Sequence, residues 1–542
     1  MCFALAAAPG AASAGSVVQG AWSFPSAPLL GPPAVEFPAP LQAPAVGSAG
    51  GVTGDSRGYV LLAPIRAYSV PLAFEGKPGP EILESDGSPV WEDPLGSTMT
   101  VGGVARQIVA MDLHTETYEG KRALVWWQGY ITPQGFGNGS WQIVNQRYQT
   151  LATINAPPGY ELDFHDIAIR PNGTAYILGT KVVKLNLHCC GGPANGALYD
   201  EVVFQVDIQT GKILWSWDPL RHVPLKDSYA KAPTAKGVWD PYHLNSISFG
   251  PSGNLIVSAR NTWAAYWVNR VKAPYEGKVL ATLGGKQSSF ALGPGANFAW
   301  QHDVLQEPSQ QVSIFDDEAA PPEGKQSRAL LLALDFQHHT ADLVHEYLLP
   351  EPKLAGSQGN VELEGNGNVF VGWGQLPYFT EYSSSGQMIY EGMLPASDES
   401  YRAFRSEWIG LPVGQPSAVA EGAAPGAKVL ASWNGATQVV SWRLLAGSTA
   451  ATLSVIAQAP REGFETSIAT SSSGPYYAVQ AIDRAGRVLG TSPAVTVKAT
   501  ASAAGHAAHV AGHTATAAGR AAHAAGHTAT AAGHAASRTA AR

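Results

Sequence analysis

Residues 245–260, NSISFGPSGNLIVSAR, spell a strand, a Ser-Gly turn and a second strand. Short apolar runs on either side of a turn dipeptide are how a hairpin is written. The phrase returns as HDIAIRPNGTAYILG from His165 and as NVELEGNGNVFVGWG from Asn360, so the hairpin is a repeated unit. Each copy is followed by two more strands joined at a glycine turn: VVFQVDIQTGKILWSW from Val202, YWVNRVKAPYEGKVLATLGG from Tyr266 and FTEYSSSGQMIYEGML from Phe379. Four strands per repeat make a propeller blade. Further units open at Arg106 and His302, which gives five complete blades. Upstream, YVLLAPI, PEILESDGS and PVWEDPL supply three strands, and the strand YRAFRSEWIG from Tyr401 has no blade of its own. Joining them closes a sixth blade from both ends of the chain and removes the two sheet edges an open ring would leave unpaired.

The rest of the composition agrees with an all-β chain. Of 542 residues, 45% are hydrophobic and 14% charged, with 59 Gly and 39 Pro, so a large core is available and turns outnumber long helices. Beyond the propeller (residues 55–411), strands recur about every ten residues over 412–499 with a Trp on the third, the pattern of a fibronectin type III-like β-sandwich. Residues 500–542 hold GHTATAAG twice and six His among Ala, Gly and Thr, a disordered low-complexity tail that cannot bury a core. Residues 1–50 read as a leader and Pro-rich linker. The opening MCFALAAAPGAASAG resembles the end of a secretory signal without its basic part, and the expectation is export. A net charge of -8 excludes the basic footprint of a nucleic-acid binder, and no apolar run is long enough for a spanning helix. Three cysteines build no disulfide framework; the neighbours Cys189 and Cys190 are either a strained vicinal bridge or two reduced thiols.

In a propeller the first strand of each blade is innermost, and residues at its start line one mouth of the central channel. Counting the composite blade as the first, His165 opens blade three, His243 blade four and His302 blade five, while Arg260 ends the second strand of blade four. Three histidines at such positions would each need a buried partner if they served packing alone. A His₃ zinc site is one alternative. Arg260 argues against it, because a fixed guanidinium repels a cation and favours an oxyanion, so the constellation reads as a sulfate or phosphate cradle with no metal and no cofactor.

The strings LVWWQGYI, LDFHD, DPYHLNSISFGPSGNLIVSAR, TLGGKQSSF, FAWQHDV and SIFDDEA resemble the arylsulfotransferase (ASST) superfamily, in the branch common in fungi and actinobacteria. The resemblance spans Tyr59 to about Trp408. It implies a six-bladed propeller that moves a sulfuryl group from an aryl sulfate to a phenol through a sulfohistidine, without a nucleotide sulfate donor. Carried onto this sequence, it makes His302 the nucleophile, gives His243, Asn245 and Arg260 the sulfuryl oxygens, and lets His165 complete the cradle. His243 is also the candidate for proton transfer, since an imidazole titrates near neutrality. The N-terminal β-sandwich and the active-site disulfide of periplasmic members have no counterpart here, and the family's hydroxyl-bearing residue after the nucleophile finds no match. Two other classes fit the same residues: an exported propeller that binds a surface or matrix ligand without chemistry, and a metal-dependent hydrolase or lyase.

Secondary features carry two readings each. Trp263, Trp267, Trp300 and Phe164 either stack on an aryl ring or pack the core. Asp316, Asp317 and Glu318 either hold calcium or form a solvated loop, and WSWDP at Trp215 reads as an outer strand.

Overall fold

The structure, a computed structural model, describes residues 16–18, 20–37, 58–68, 70–96, 98–270, 276–422, 426–472 and 474–498. The leader-like residues 1–15 and the Ala/Gly/His tail lie outside the described residues. Six blades of four antiparallel strands form the propeller, and two of them carry a short fifth strand in parallel, Val238–Trp239 in one and Ala291–Leu292 in the other. Their innermost strands are Asp398–Ser406 (blade one), Val109–Tyr118 (two), Glu161–Arg170 (three), Leu244–Phe249 (four), His302–Glu307 (five) and Asn360–Leu363 (six). Blade one is composite as expected: Asp398–Ser406 pairs with Tyr59–Arg66, which continues into Glu81–Leu83 and Pro89–Glu92. Blade two begins at Val109 rather than Arg106, because Thr98–Val101 and Val104–Gln107 form a separate hairpin.

The period of two in each strand is what stacks the blades. In Thr174–Leu185, Ala175 and Ile177 face the cluster of blades two and three, while Tyr176 and Leu178 face that of blades three and four. Equivalent apolar clusters fill the other four interfaces, so both faces of every sheet are buried. WSWDP is on an outermost strand, Ile213–Trp217.

At the axis the blades are stitched by one residue per inner strand. Ile247 N–H donates to Asp166 Oδ2 (2.6 Å), Val304 N–H to Ser246 Oγ (2.9 Å), Val361 N–H to Asp303 Oδ2 (2.9 Å) and Ala403 N–H to Asn360 Oδ1 (3.0 Å). In blade one the same position is Arg402, which reaches Asp112 of blade two. A buried N–H needs an acceptor, and a short polar side chain on the neighbouring blade supplies it.

The C-terminal unit has three strands in one layer, Ser417–Glu421, Ala427–Ser432 and Glu465–Thr470, and Ser454–Pro460, Ser441–Gly447, Tyr476–Ile482 and Val488–Thr491 in the other, with Val495–Lys498 pairing to both. Trp442, on the third strand, is buried at its centre. The unit is fastened to the propeller by Gly435 N–H to Val90 O (2.9 Å), Tyr148 OH to Gly435 O (2.9 Å) and Asn434 Nδ2 to Glu92 O (2.8 Å). Part of the proline-rich run is packed here too, with Phe24 against Phe464 (4.5 Å between centroids) and Ser26 N–H on Glu465 Oε2 (2.6 Å). No described helix is long and apolar enough to cross a membrane. The sulfurs of Cys189 and Cys190 lie 2.7 Å apart as free thiols.

Candidate functional site

His165 and His302 occupy the same place in their blades. Each stands at a break in strand register, between Leu162 and Ile167 in blade three and between His302 and Leu305 in blade five, and each directly precedes the carboxylate that takes the next blade's N–H. The blade-four counterpart by that register is Asn245, which precedes Ser246. Three equivalent histidines were expected, and the structure corrects this: His243 comes from the turn two residues earlier. It sits there at φ 55° because the Glu201 carboxyl accepts both its N–H (2.8 Å) and that of Leu244 (2.5 Å).

The rings nevertheless meet. His165 and His243 centroids are 4.7 Å apart and those of His165 and His302 6.4 Å, with Phe136 against the first two and Tyr401 against His165 and His302. Each imidazole holds a carboxylate at Nδ1: Asp163 on His165 (2.6 Å), Asp240 on His243 (2.6 Å) and Asp317 on His302 (2.7 Å). Gln358 N–H donates to His302 Nε2 (3.3 Å), so that nitrogen presents its lone pair and the ring proton lies on Nδ1 toward Asp317.

Arg260 follows the strand Leu255–Ala259, and its N–H donates to His243 O (3.0 Å). Its guanidinium lies over the Trp300 ring (4.9 Å) and donates to Gly356 O (3.0 Å), Ala319 O (3.3 Å) and Asn261 Oδ1 (3.3 Å). Nε is buried and finds no acceptor among the described residues, which leaves a cationic donor for an anion. Asn245 Nδ2 donates to Gln301 O (2.7 Å), tying blade four to the residue before His302.

Burial, then the Arg260 charge and those of His165, His243 and Arg402, hold His302 well below the usual imidazole range. His165 is lowered as well, by burial first, against the opposing pull of Asp163. Burial raises Asp317 well above the carboxylate range and Arg260 opposes the rise. Asp240 is held low: burial would raise it, but His243 and a hydrogen bond from Glu201 outweigh that, while burial raises Glu201.

Several site residues escaped the sequence reading. Asp163 and Asp240 were visible as acids two and three residues before a histidine, whereas Asp317 is fifteen residues from its partner. The segment read as a solvated or calcium-binding loop is instead buried at Asp316 and Asp317, because it faces Arg328 and His302. Phe164 stacks on His165 (4.2 Å), Trp263 on Tyr229 (3.5 Å), and Trp267 is core. Among the described residues no group of three or more His, Cys, Asp or Glu is placed to hold a metal ion.

The inner strands of the propeller thus bring together three Asp-paired imidazoles, with an arginine near them whose Nε finds no acceptor among the described residues. The arylsulfotransferase (ASST) family model matches residues 114–394, over half of the chain, and the chain belongs to that family, a family of sulfotransferases acting on small molecules. No curated protein matches it. Similar solved structures include a protein of unknown function from Bacteroides caccae (12% identity, 64% of this chain and 98% of that one, TM-score 0.36) and one from Desulfotomaculum acetoxidans (11%, 65% and 99%, 0.35). Virginiamycin B lyase from Staphylococcus aureus is similar at 10% identity over 67% of this chain and 92% of that one (TM-score 0.29). At these scores the likenesses do not bear on the chemistry.

Proposed function

We propose that the protein transfers a sulfuryl group from an aryl sulfate to a phenolic acceptor through a covalent intermediate on His302. The observation that carries the reading is the pairing of the His302 ring: Nε2 accepts from the Gln358 N–H while Nδ1 is held by Asp317. In the first half-reaction the Nε2 lone pair forms the N–S bond, the S–O bond to the aryl oxygen breaks, and the phenolate leaves with that electron pair and takes a proton from His243. In the second, an acceptor phenol gives its proton to His243, its oxygen attacks sulfur, and the N–S pair returns to His302. Arg260, Asn245 and His243 hold the sulfuryl oxygens, and His165 completes the cradle. The Gln358 N–H, released from Nε2 when the N–S bond forms, becomes a further donor to one of them. In the 356–359 loop, Ser357 is the one hydroxyl-bearing residue.

Incubation with an aryl sulfate and a phenol acceptor tests this. Acceptor-dependent release of the donor phenol, lost in His302→Ala, is expected; no release, or an unchanged rate in His302→Ala, contradicts it. The C-terminal unit is read as a fibronectin type III-like module on its three-and-four strand order, and the chain as exported on the composition of residues 1–15. Fractionation of cells expressing the full chain checks the second point.

A further inference from the structure

Arg402 lies on the innermost strand of blade one, about a hundred residues beyond the last histidine of the cradle. It is 3% exposed, and its guanidinium reaches four blades. Nη1 meets Asp112 Oδ1 at 3.3 Å and Asp166 Oδ1 at 3.2 Å; Nη2 meets Asp303 Oδ1 at 3.3 Å and the carbonyl of Asn245 at 3.2 Å. Asp166 directly follows His165, Asp303 directly follows His302, and Asn245 is itself a cradle residue. The adjacent Tyr401 adds a hydrogen bond from its hydroxyl to His165 O (3.0 Å). A buried cation among carboxylates gives little net stability over an apolar filling, because desolvation offsets the attraction. What a forked guanidinium gives, and an apolar residue cannot, is a fixed relation between several separate strands.

We propose that Arg402 is the positioning residue of the cradle, locking Asp166, Asn245 and Asp303 to one side chain and so setting His165, Asn245 and His302 at a common level on the axis. The mechanistic consequence rests on the sulfuryl-transfer reading; the electrostatic one does not. The groups that face His302 are Asp317 at Nδ1, Gln358 N–H at Nε2, Tyr401, and the charges or imidazoles of Arg260, His165, His243 and Arg402. Removing the Arg402 charge raises the proton affinity of His302, and the three aspartates left behind push the same way.

The experiment uses the full chain with ¹³C-labelled histidine, comparing wild type, Arg402→Lys and Arg402→Gln, with the His302 resonance assigned by its loss in His302→Asn. In Arg402→Gln the His302 titration moves up by about one pH unit, the size expected when a buried neighbouring cation is lost. In Arg402→Lys, which keeps charge but cannot span four blades, the titration holds while single-turnover phenol release slows by about 10- to 100-fold. A wild-type titration in Arg402→Gln, or wild-type release in Arg402→Lys, overturns the proposal. If wild type itself releases no phenol, the sulfuryl reading fails and the titration alone decides Arg402. Should Arg402→Gln not fold, Arg402→Gln/Asp112→Asn, which removes a carboxylate with the cation, takes its place in the titration.

Discussion

Replacing Asp317 by asparagine tests the part of the site proposed to make His302 a nucleophile. His302 Nδ1 and Asp317 Oδ2 are 2.7 Å apart, and the two side chains are 1% and 0% exposed. A buried hydrogen bond to a charged group contributes about 1.5–3 kcal/mol. The positive charge that builds on the imidazole as the N–S bond forms is attracted to the carboxylate by at most about 4 kcal/mol, for charges ~4 Å apart at an effective dielectric of ~20. Asparagine removes that charge, and its NH₂ can donate to Nδ1, which moves the ring proton to Nε2 and blocks the attacking lone pair. At ~1.4 kcal/mol per decade, a loss of about 3–4 kcal/mol slows donor-side phenol release by about 10²- to 10³-fold. Stopped-flow absorbance in a single turnover, with donor and no acceptor, measures that step directly. The thermal transition should change little, since asparagine keeps the shape of the buried side chain and a hydrogen-bonding group beside Nδ1. Release at the wild-type rate in a folded Asp317→Asn protein would refute the reasoning.

Because His302 binds its proton only well below pH 6.5, its free base persists through neutrality; a pH–rate series in single turnover should show no loss of rate as the buffer passes down through 6.5, and a fall only in more acid buffer. Arg260→Lys keeps the charge but loses the fork that holds Gly356 O and Ala319 O, so donor-side release should drop about 10²-fold in the same assay, with the fold intact by circular dichroism. Gly359 has φ 100°, and a Cβ there would lie 2.5 Å from the Phe315 ring, so Gly359→Ala should lower the melting temperature by an amount matching about 1–3 kcal/mol and loosen Gln358 from His302.

The propeller was legible because its information is local. Each hairpin carries its own turn dipeptide and its own period of two, and repetition of NSISFGPSGNLIV with HDIAIRPNGTAYIL multiplied a weak signal into a blade count. Closure by Asp398–Ser406 with Tyr59–Arg66 followed from the need to pair loose edges. His165, His302 and Arg260 were placed by that same register. His243 was displaced from it because the carboxyl of Glu201, from a different blade, holds its turn, and nothing in the local string DPYHLN records that contact. Asp317 and Arg402 were unreadable for a related reason. Asp317 meets His302 across the two inner strands of blade five, fifteen residues away, and Arg402 acts across blades, on a partner almost three hundred residues away, through distances that exist only once the ring has closed.

The most direct measurement is peptide mass spectrometry of the full chain after exposure to an aryl sulfate without acceptor, worked up at mildly basic pH because the N–S bond is acid-labile. One sulfuryl adduct per chain, located on the peptide containing His302 and discharged by added phenol, is the predicted result. Phenol release without an adduct, or an adduct on another residue, would contradict the covalent role of His302.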